Sequence, residues 1–439
     1  MDMYSGWTSH FSLLLPHPSE PMILLTSEGG RLALPCVRID EFSWWRDMVK
    51  VGEAAQRALG AHVMALGCMQ RTDDFSERVS HRVYGLENCD ASDDPGDGVW
   101  VGRDTLAGLP VATPEHRSVI EERLDELEGD GASLQPAWRR RGWYGKAEEW
   151  FSEQLSTQGY VLTSQIQCAY SWPMSCILRA HTTTGSVYMK ACCALPFLAD
   201  EPALTSRLAG LFPGRVPMPL GAQEDDRWML LPDLGKPIRY VTGDEKTDAL
   251  ALFAELQLRS VDHTTALLDM GCPDRRPEWL ETELDRLIQN GNQPSATTEL
   301  DQIRVLAPHL KSMCRQLATY RVPNTLSHGD LFGGNIAQGQ DGYIFFDWAM
   351  GSVSHPFFDA INLCDWEELR SHARDRYLGY WTDYEPMERL REAYALAEPL
   401  WAAHNAILFD HVISEVGEGT EVRSDTPNPK LEKLAASLA

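Results

Sequence analysis

The chain has 439 residues, enough for two or three domains with sizeable cores, and carries a formal net charge of −25. That balance speaks against a nucleic-acid binder, whose phosphate contacts need a clustered basic surface, and suits a neutral or cationic ligand better. The ten cysteines are scattered, without the spacing of a zinc site or a disulfide framework, and no apolar run approaches the roughly 18 residues of a membrane span. Reduced, mostly core thiols in a cytoplasmic protein are therefore expected.

In chain order, residues 1–130 read as an α+β unit of their own. The runs "SLLL" and "MILLTSEGGRLALP" alternate apolar stretches with Gly- and Pro-bearing turns, while "GEAAQRALGAHVMAL" has helix-forming composition stopped at Gly60. A helical run from about Glu115 breaks in "ELEGDGASLQPAWRRRGW", which marks a boundary. Residues 131–160 are read as a linker and a helix starting near Tyr144. Residues 161–236 turn strand-rich: "SCILRA" and "GSVYMKAC" flank the polar "HTTTG", as in a hairpin. Strand alternation sets Val187 and Met189 on one face, Tyr188 and Lys190 on the other. From 237 to 425 the spacing of Leu250, Phe253 and Leu256, and later of Leu280, Leu284, Leu287 and Ile288, predicts helices that bury one stripe. Residues 426–439 read as a tail.

The chemistry concentrates in "HGDLFGGN" (328–335) and in "QDGYIFFDW", which ends on Asp347 and Trp348. A carboxylate and a carboxamide five residues apart on a glycine-bearing loop can converge on one point. The Asp341-Gly342 pair can then turn the chain back as a hairpin and return Asp347 to the same place. The oxygens of Asn335 and Asp347 suit Mg²⁺, which takes only one or two carboxylates and leaves positions for phosphate oxygens. Asp330 is left for a reacting hydroxyl. A lone Asp in such a turn is more often a backbone cap; the loop, the Asn spacing, the hairpin and the strand-end Asp, in this order, point to a site.

These residues, with the later "HPFFDA", resemble the catalytic loop, metal loop and following helix of the aminoglycoside phosphotransferase and choline kinase superfamily. The resemblance implies a two-lobed, protein-kinase-like fold with a strand-rich N-lobe and a helical C-lobe, here preceded by a separate α+β domain. It implies transfer of the γ-phosphoryl group of ATP or GTP, with Mg²⁺, to a hydroxyl of a small molecule. By it, Asp330 is the catalytic base or hydroxyl-positioning residue, Asn335 and Asp347 hold Mg²⁺, His328 supports the loop, and Asp359 braces its backbone from the next helix. Lys190 takes the place of the nucleotide lysine. Glu201 would orient it by an ion pair, with Asp200 as the adjacent competitor, and backbone groups near Leu231 to Asp233 would face adenine.

The chain has neither G-x-G-x-x-G before Lys190 nor a Walker loop, so the choice between ATP and GTP stays open. Residues 1–130 resemble, more faintly, a Nudix-type domain in which Glu53 remains and the other box carboxylates are missing, which implies an appended domain without hydrolysis. The alternative reading is a pseudokinase or nucleotide-binding regulatory module; the complete set of Lys190, Asp330, Asn335 and Asp347 counts against it. Expected partners are a nucleotide and a hydroxyl-bearing small molecule, with no nucleic acid and no membrane.

Overall fold

The computed structural model describes residues 5–90, 94, 96–129, 136–240, 243–290, 297–339, 342–364 and 370–416. The turn residue Asp341 and the tail 426–439 lie outside the described residues. Contacts divide the chain into two units, one holding the described part of Met1–Cys193 with Trp228–Pro232, the other Ala194–Arg227 with the described part of Asp233–Gly417.

In the first unit, β1 (Thr8–Leu14) runs parallel to β6 (Val79–Asn88) and antiparallel to β4 (Cys36–Ile39), and β5 (Val63–Asp74) closes the order β4-β1-β6-β5. A smaller sheet holds β2 (Ile23–Glu28) between β3 (Arg31–Ala33) and β7 (Val99–Val101). Helix α1 (Met48–Leu59) is local chemistry made visible. The Asp47 side chain accepts from Val49 N at its start, Met48, Val51, Ala54 and Ala55 form its buried stripe, and Gly60 ends it at φ 64°. Glu53 stands exposed on this helix. Helices α2 (Arg103–Ala107), α3 (His116–Glu128) and α4 (Trp143–Thr157) follow.

Strands β8 (Gln167–Trp172), β9 (Ser175–Thr182) and β10 (Gly185–Cys192) form an antiparallel meander. Two strands come later in the chain, β11 (Gly221–Gln223) and β12 (Trp228–Pro232), and β12 pairs with β10 so that Lys190 faces Met229 and Tyr188 faces Leu231. Along β10, Val187 and Met189 are buried while Tyr188 and Lys190 are half-buried, as alternation requires.

The N-terminal sheet is joined to β8 by main-chain chemistry. Ser171 N donates to Arg46 O at 3.0 Å and its hydroxyl donates to Leu66 O. The Arg46 guanidinium lies over Trp45 (4.4 Å) and Trp172 (4.3 Å) and reaches the Tyr170 hydroxyl at 3.0 Å.

The second unit is mainly helical. It contains α5 (Glu201–Leu211), α6 (Gly243–Ser260), α7 (Thr264–Asp269), α8 (Pro277–Asn290), α9 (Thr297–Leu317), α10 (Phe357–Cys364), α11 (Arg370–Gly379) and α12 (Met387–Val416). Leu250, Phe253, Leu256, Leu280 and Leu284 lie in its core, the stripe their spacing predicts. Two small strand pairs are set into these helices: β13 (Thr325–Ser327) with β16 (Ser352–Ser354), and β14 (Ile336–Gly339) with β15 (Gly342–Phe345). They carry the loops of interest.

The fold is α+β, strand-rich in its first part and helical after it. All ten cysteines are free thiols, most of them buried. Among the described residues no helix is long and apolar enough to cross a membrane.

Candidate active site

Residues 328–335 leave the buried strand β13 through a conformation only glycine tolerates. Gly329 has φ +76°, and a Cβ there would lie 2.3 Å from Met350 O. The loop is held from beneath by Asp359, in the first turn of α10 and 0% exposed. Its Oδ1 accepts from Gly329 N at 3.0 Å, and its Oδ2 accepts from His328 N at 3.1 Å and Gln257 Nε2 at 3.2 Å. Burial pushes the Asp359 carboxyl up to about 7, against donors from Gly329, Ser327, His328 and Gln257. Gln257 is fixed in turn: its Nε2 donates to Pro356 O at 3.1 Å and its Oε1 accepts from the Tyr377 hydroxyl at 2.7 Å.

His328 is buried. Its Nε2 lies 2.9 Å from Phe346 O, and since a carbonyl only accepts, Nε2 carries the proton. The imidazole also packs 4.5 Å from the Trp348 ring. Asp330 itself is exposed, whereas Asn335 is 6% exposed. Asn335 Nδ2 donates to Asp330 O at 3.0 Å and to Asp330 Oδ2 at 3.1 Å, and Asn335 O accepts from Phe346 N at 3.0 Å. The amide nitrogen is thus engaged with Asp330, and Oδ1 is the acceptor atom this side chain could offer a ligand. Gly333 permits a second close approach, since a Cβ there would lie 3.0 Å from Arg239 Cα.

Asp347 follows β15 in the left-handed region (φ 69°, ψ 63°) and opens the short turn Trp348–Met350. Buried Trp348 anchors that turn through Nε1, which donates to Phe345 O at 2.8 Å. Asn335 and Asp347 offer hard oxygens from two adjoining loops. Among the described residues no group of three or more His, Cys, Asp or Glu could hold a metal ion by itself. The donor set fits Mg²⁺ that arrives with phosphate oxygens as its remaining ligands.

Glu201 begins α5 and is 1% exposed, while its neighbour Asp200 is the helix cap, accepting from Ala203 N at 3.2 Å and lying 3.6 Å from Arg227 Nε. Of the two acids, Asp200 does local work and Glu201 is the buried one. Ala199 N donates to Ala349 O at 3.0 Å, which ties the entry of α5 to the turn after Asp347. Asp233 is exposed and accepts from Gly235 N at 2.9 Å. Lys190 and Leu231 stand on the paired strands β10 and β12 of the first unit; Glu201, Asp233 and both loops belong to the second. Sequence reasoning missed Gln257, Ser327 and Tyr377, which hold Asp359 in place.

Residues 194–392 match the model of the phosphotransferase enzyme family. Among solved structures, an ethanolamine kinase from Plasmodium vivax is similar at 12% identity, covering 75% of this chain and 95% of that one with a TM-score of 0.50. A choline/ethanolamine kinase family protein from Mesorhizobium loti follows at 12% identity, 67% and 94% coverage and a TM-score of 0.48. A choline kinase from Streptococcus pneumoniae follows at 13% identity, 67% and 99% coverage and a TM-score of 0.47. No curated protein matches. Glu201, Asp330, Asn335, Asp347 and Asp359 all fall inside the matched segment, which spans a little less than half of the chain.

Proposed function

We propose that the chain is a small-molecule kinase that transfers the γ-phosphoryl group of ATP or GTP to a hydroxyl of a small acceptor. The observation that carries this reading is the Asn335 amide, whose nitrogen is engaged with both the backbone and the side chain of Asp330. It couples the carboxylate that would meet the acceptor to the oxygen that would meet the metal.

Asp330, exposed and held by Asn335, would accept a hydrogen bond from the acceptor hydroxyl, aim its lone pair, and take its proton as the new P–O bond forms. Asn335 Oδ1 and Asp347 would hold Mg²⁺, which supplies charge neutralisation to the phosphate oxygens. Lys190 would face the α- and β-phosphates with Glu201 as its ion-pair partner, and the backbone from Leu231 to Asp233 would face adenine. Positioning and electrostatics would then account for most of the rate. The N-terminal part enters as an appended element without hydrolytic activity, since the box carboxylates other than Glu53 are missing from the sequence. A cytoplasmic setting belongs to the same reading.

Calorimetry with ATP and GTP tests the metal assignment. Affinity should collapse when Mg²⁺ is chelated or when Asp347→Ala is introduced; equal binding in all three cases would remove Asp347 from the site. A nucleoside-diphosphate-release screen against hydroxyl-bearing metabolites and antibiotics then tests transfer. Tight Mg²⁺-dependent binding with no turnover on any acceptor would favour a nucleotide-binding regulatory module instead.

A further inference from the structure

We propose that Arg275, which lies outside both motifs, is a positioning residue that sets the metal loop against the catalytic loop; this rests on the reading of Asp347 as a Mg²⁺ ligand. Arg275 precedes α8 and is 2% exposed. A buried guanidinium is costly unless its donors are matched, and burial here lowers its pKa to about 10. Its acceptors are main-chain carbonyls. Nη1 donates to Met350 O at 2.8 Å and Nη2 donates to Phe197 O. Its own backbone is built into the same place, with Arg275 N donating to Val353 O at 2.9 Å and Arg275 O accepting from the Ser354 hydroxyl at 2.8 Å.

The Met350 carbonyl is where the two loops meet. Met350 closes the turn that Asp347 opens, and the same oxygen lies against Gly329, the residue before Asp330. Arg275 therefore fixes an atom that lies against both the metal side and the acceptor side. Its second nitrogen reaches Phe197, two residues before Ala199, whose amide donates to Ala349 O at 3.0 Å. The turn after Asp347 is thus held at Met350 by Arg275 and at Ala349 by the Ala199 amide, two residues past the carbonyl that Arg275 also holds. A core role alone could be filled by an apolar residue of similar volume, without the cost of burying a charge. A planar fork serving two carbonyls from different segments is a geometry that lysine cannot reproduce.

The test compares full-length wild type, Arg275→Lys and Arg275→Gln with two references. One is Asp347→Ala; the other is Arg276→Gln, whose half-exposed side chain pairs with Asp274 at 2.6 Å. The readout is the ratio of ATP affinity with Mg²⁺ to that with chelator, by calorimetry, beside the thermal midpoint. Both Arg275 variants should lower this ratio roughly 10- to 100-fold, the usual effect of losing a group that orients a metal ligand, with chelator affinity nearly unchanged. Arg276→Gln should keep the wild-type ratio. A wild type without Mg²⁺ dependence, or an Asp347→Ala that retains it, defeats the metal reading and this proposal with it. If those two behave as stated but both Arg275 variants keep the wild-type ratio, or neither folds, Arg275 is a structural residue only and the proposal alone is overturned.

Discussion

Replacing Gly329 by alanine should damage turnover and stability together. The added Cβ would sit 2.3 Å from Met350 O and 3.0 Å from Met350 Cβ, whereas carbon and carbonyl oxygen approach no closer than about 3.3 Å. Roughly 1 Å of movement is therefore required. Neither side yields easily, because Arg275 Nη1 holds Met350 O at 2.8 Å and Asp359 holds Gly329 N at 3.0 Å. The left-handed backbone adds about 1–2 kcal/mol for any L side chain, and overpacking about 1–3 kcal/mol, so a loss of about 2–5 kcal/mol is expected. A 1 Å displacement of Asp330 should lower the rate about 10²-fold. Urea denaturation measures the first quantity and initial rates on the acceptor found by screening measure the second. Gly145→Ala is the control, since a Cβ on Gly145, in α4, meets nothing within 4 Å. A Gly329→Ala enzyme with wild-type rate and stability within about 0.5 kcal/mol, the range of neutral surface substitutions, would refute the idea that this contact sets the loop.

Two further outcomes are expected. Asp330→Asn should reduce turnover by roughly 10² to 10⁴ while nucleotide affinity stays nearly intact; full turnover would remove Asp330 from the mechanism. Asp359, its carboxyl held up to about 7 by burial, keeps its proton in the folded state where the unfolded chain, near about 3.9, has lost it. Its contribution to stability is thus complete below about pH 4 and falls away as pH rises to about 7. His355, lowered to about 3 by burial, tilts the other way, so only the difference between wild type and Asp359→Asn isolates the aspartate. That difference should change by up to about 1.4 kcal/mol per pH unit in the window, and parallel urea-stability curves would contradict it.

The parts of this protein that are local in sequence were legible in it. The α1 stripe with its Gly60 stop, the alternation along β10 and the helical stripe of α6 each follow from spacing within one element. The loop geometry was readable because Asp330 and Asn335 lie five residues apart and are bonded to each other, and because the β14–β15 pairing returns the chain so that Phe346 N meets Asn335 O. Strand β5 was harder: its first half is buried without alternation, and the turn into β6 carries no Asn-Gly or Asp-Gly signal. Gln257, Tyr377 and Arg275 were invisible for a different reason. Each meets a partner across 75 residues or more, at Pro356 and Asp359 for Gln257, at Gln257 for Tyr377 and at Met350 for Arg275, and a buried polar residue looks like a surface one until the chain is folded. The bonds from the Ser171 amide and hydroxyl to Arg46 O and Leu66 O are hidden in the same way, being contacts to carbonyls far away in the chain.

The left-handed backbone at Asp347 has a consequence for laboratory evolution. A side chain at φ 69° is tolerated there at an expense of about 1 kcal/mol that glycine avoids. Variants sorted for heat resistance alone are relieved of that expense when glycine stands at this position. If Asp347 holds the metal as proposed, sorting for catalysis pulls the same position the other way. Under the proposed metal role, Asp347 is thus a place where thermostability and turnover compete within a single residue, and a consensus drawn from stabilised libraries would remove the proposed metal ligand.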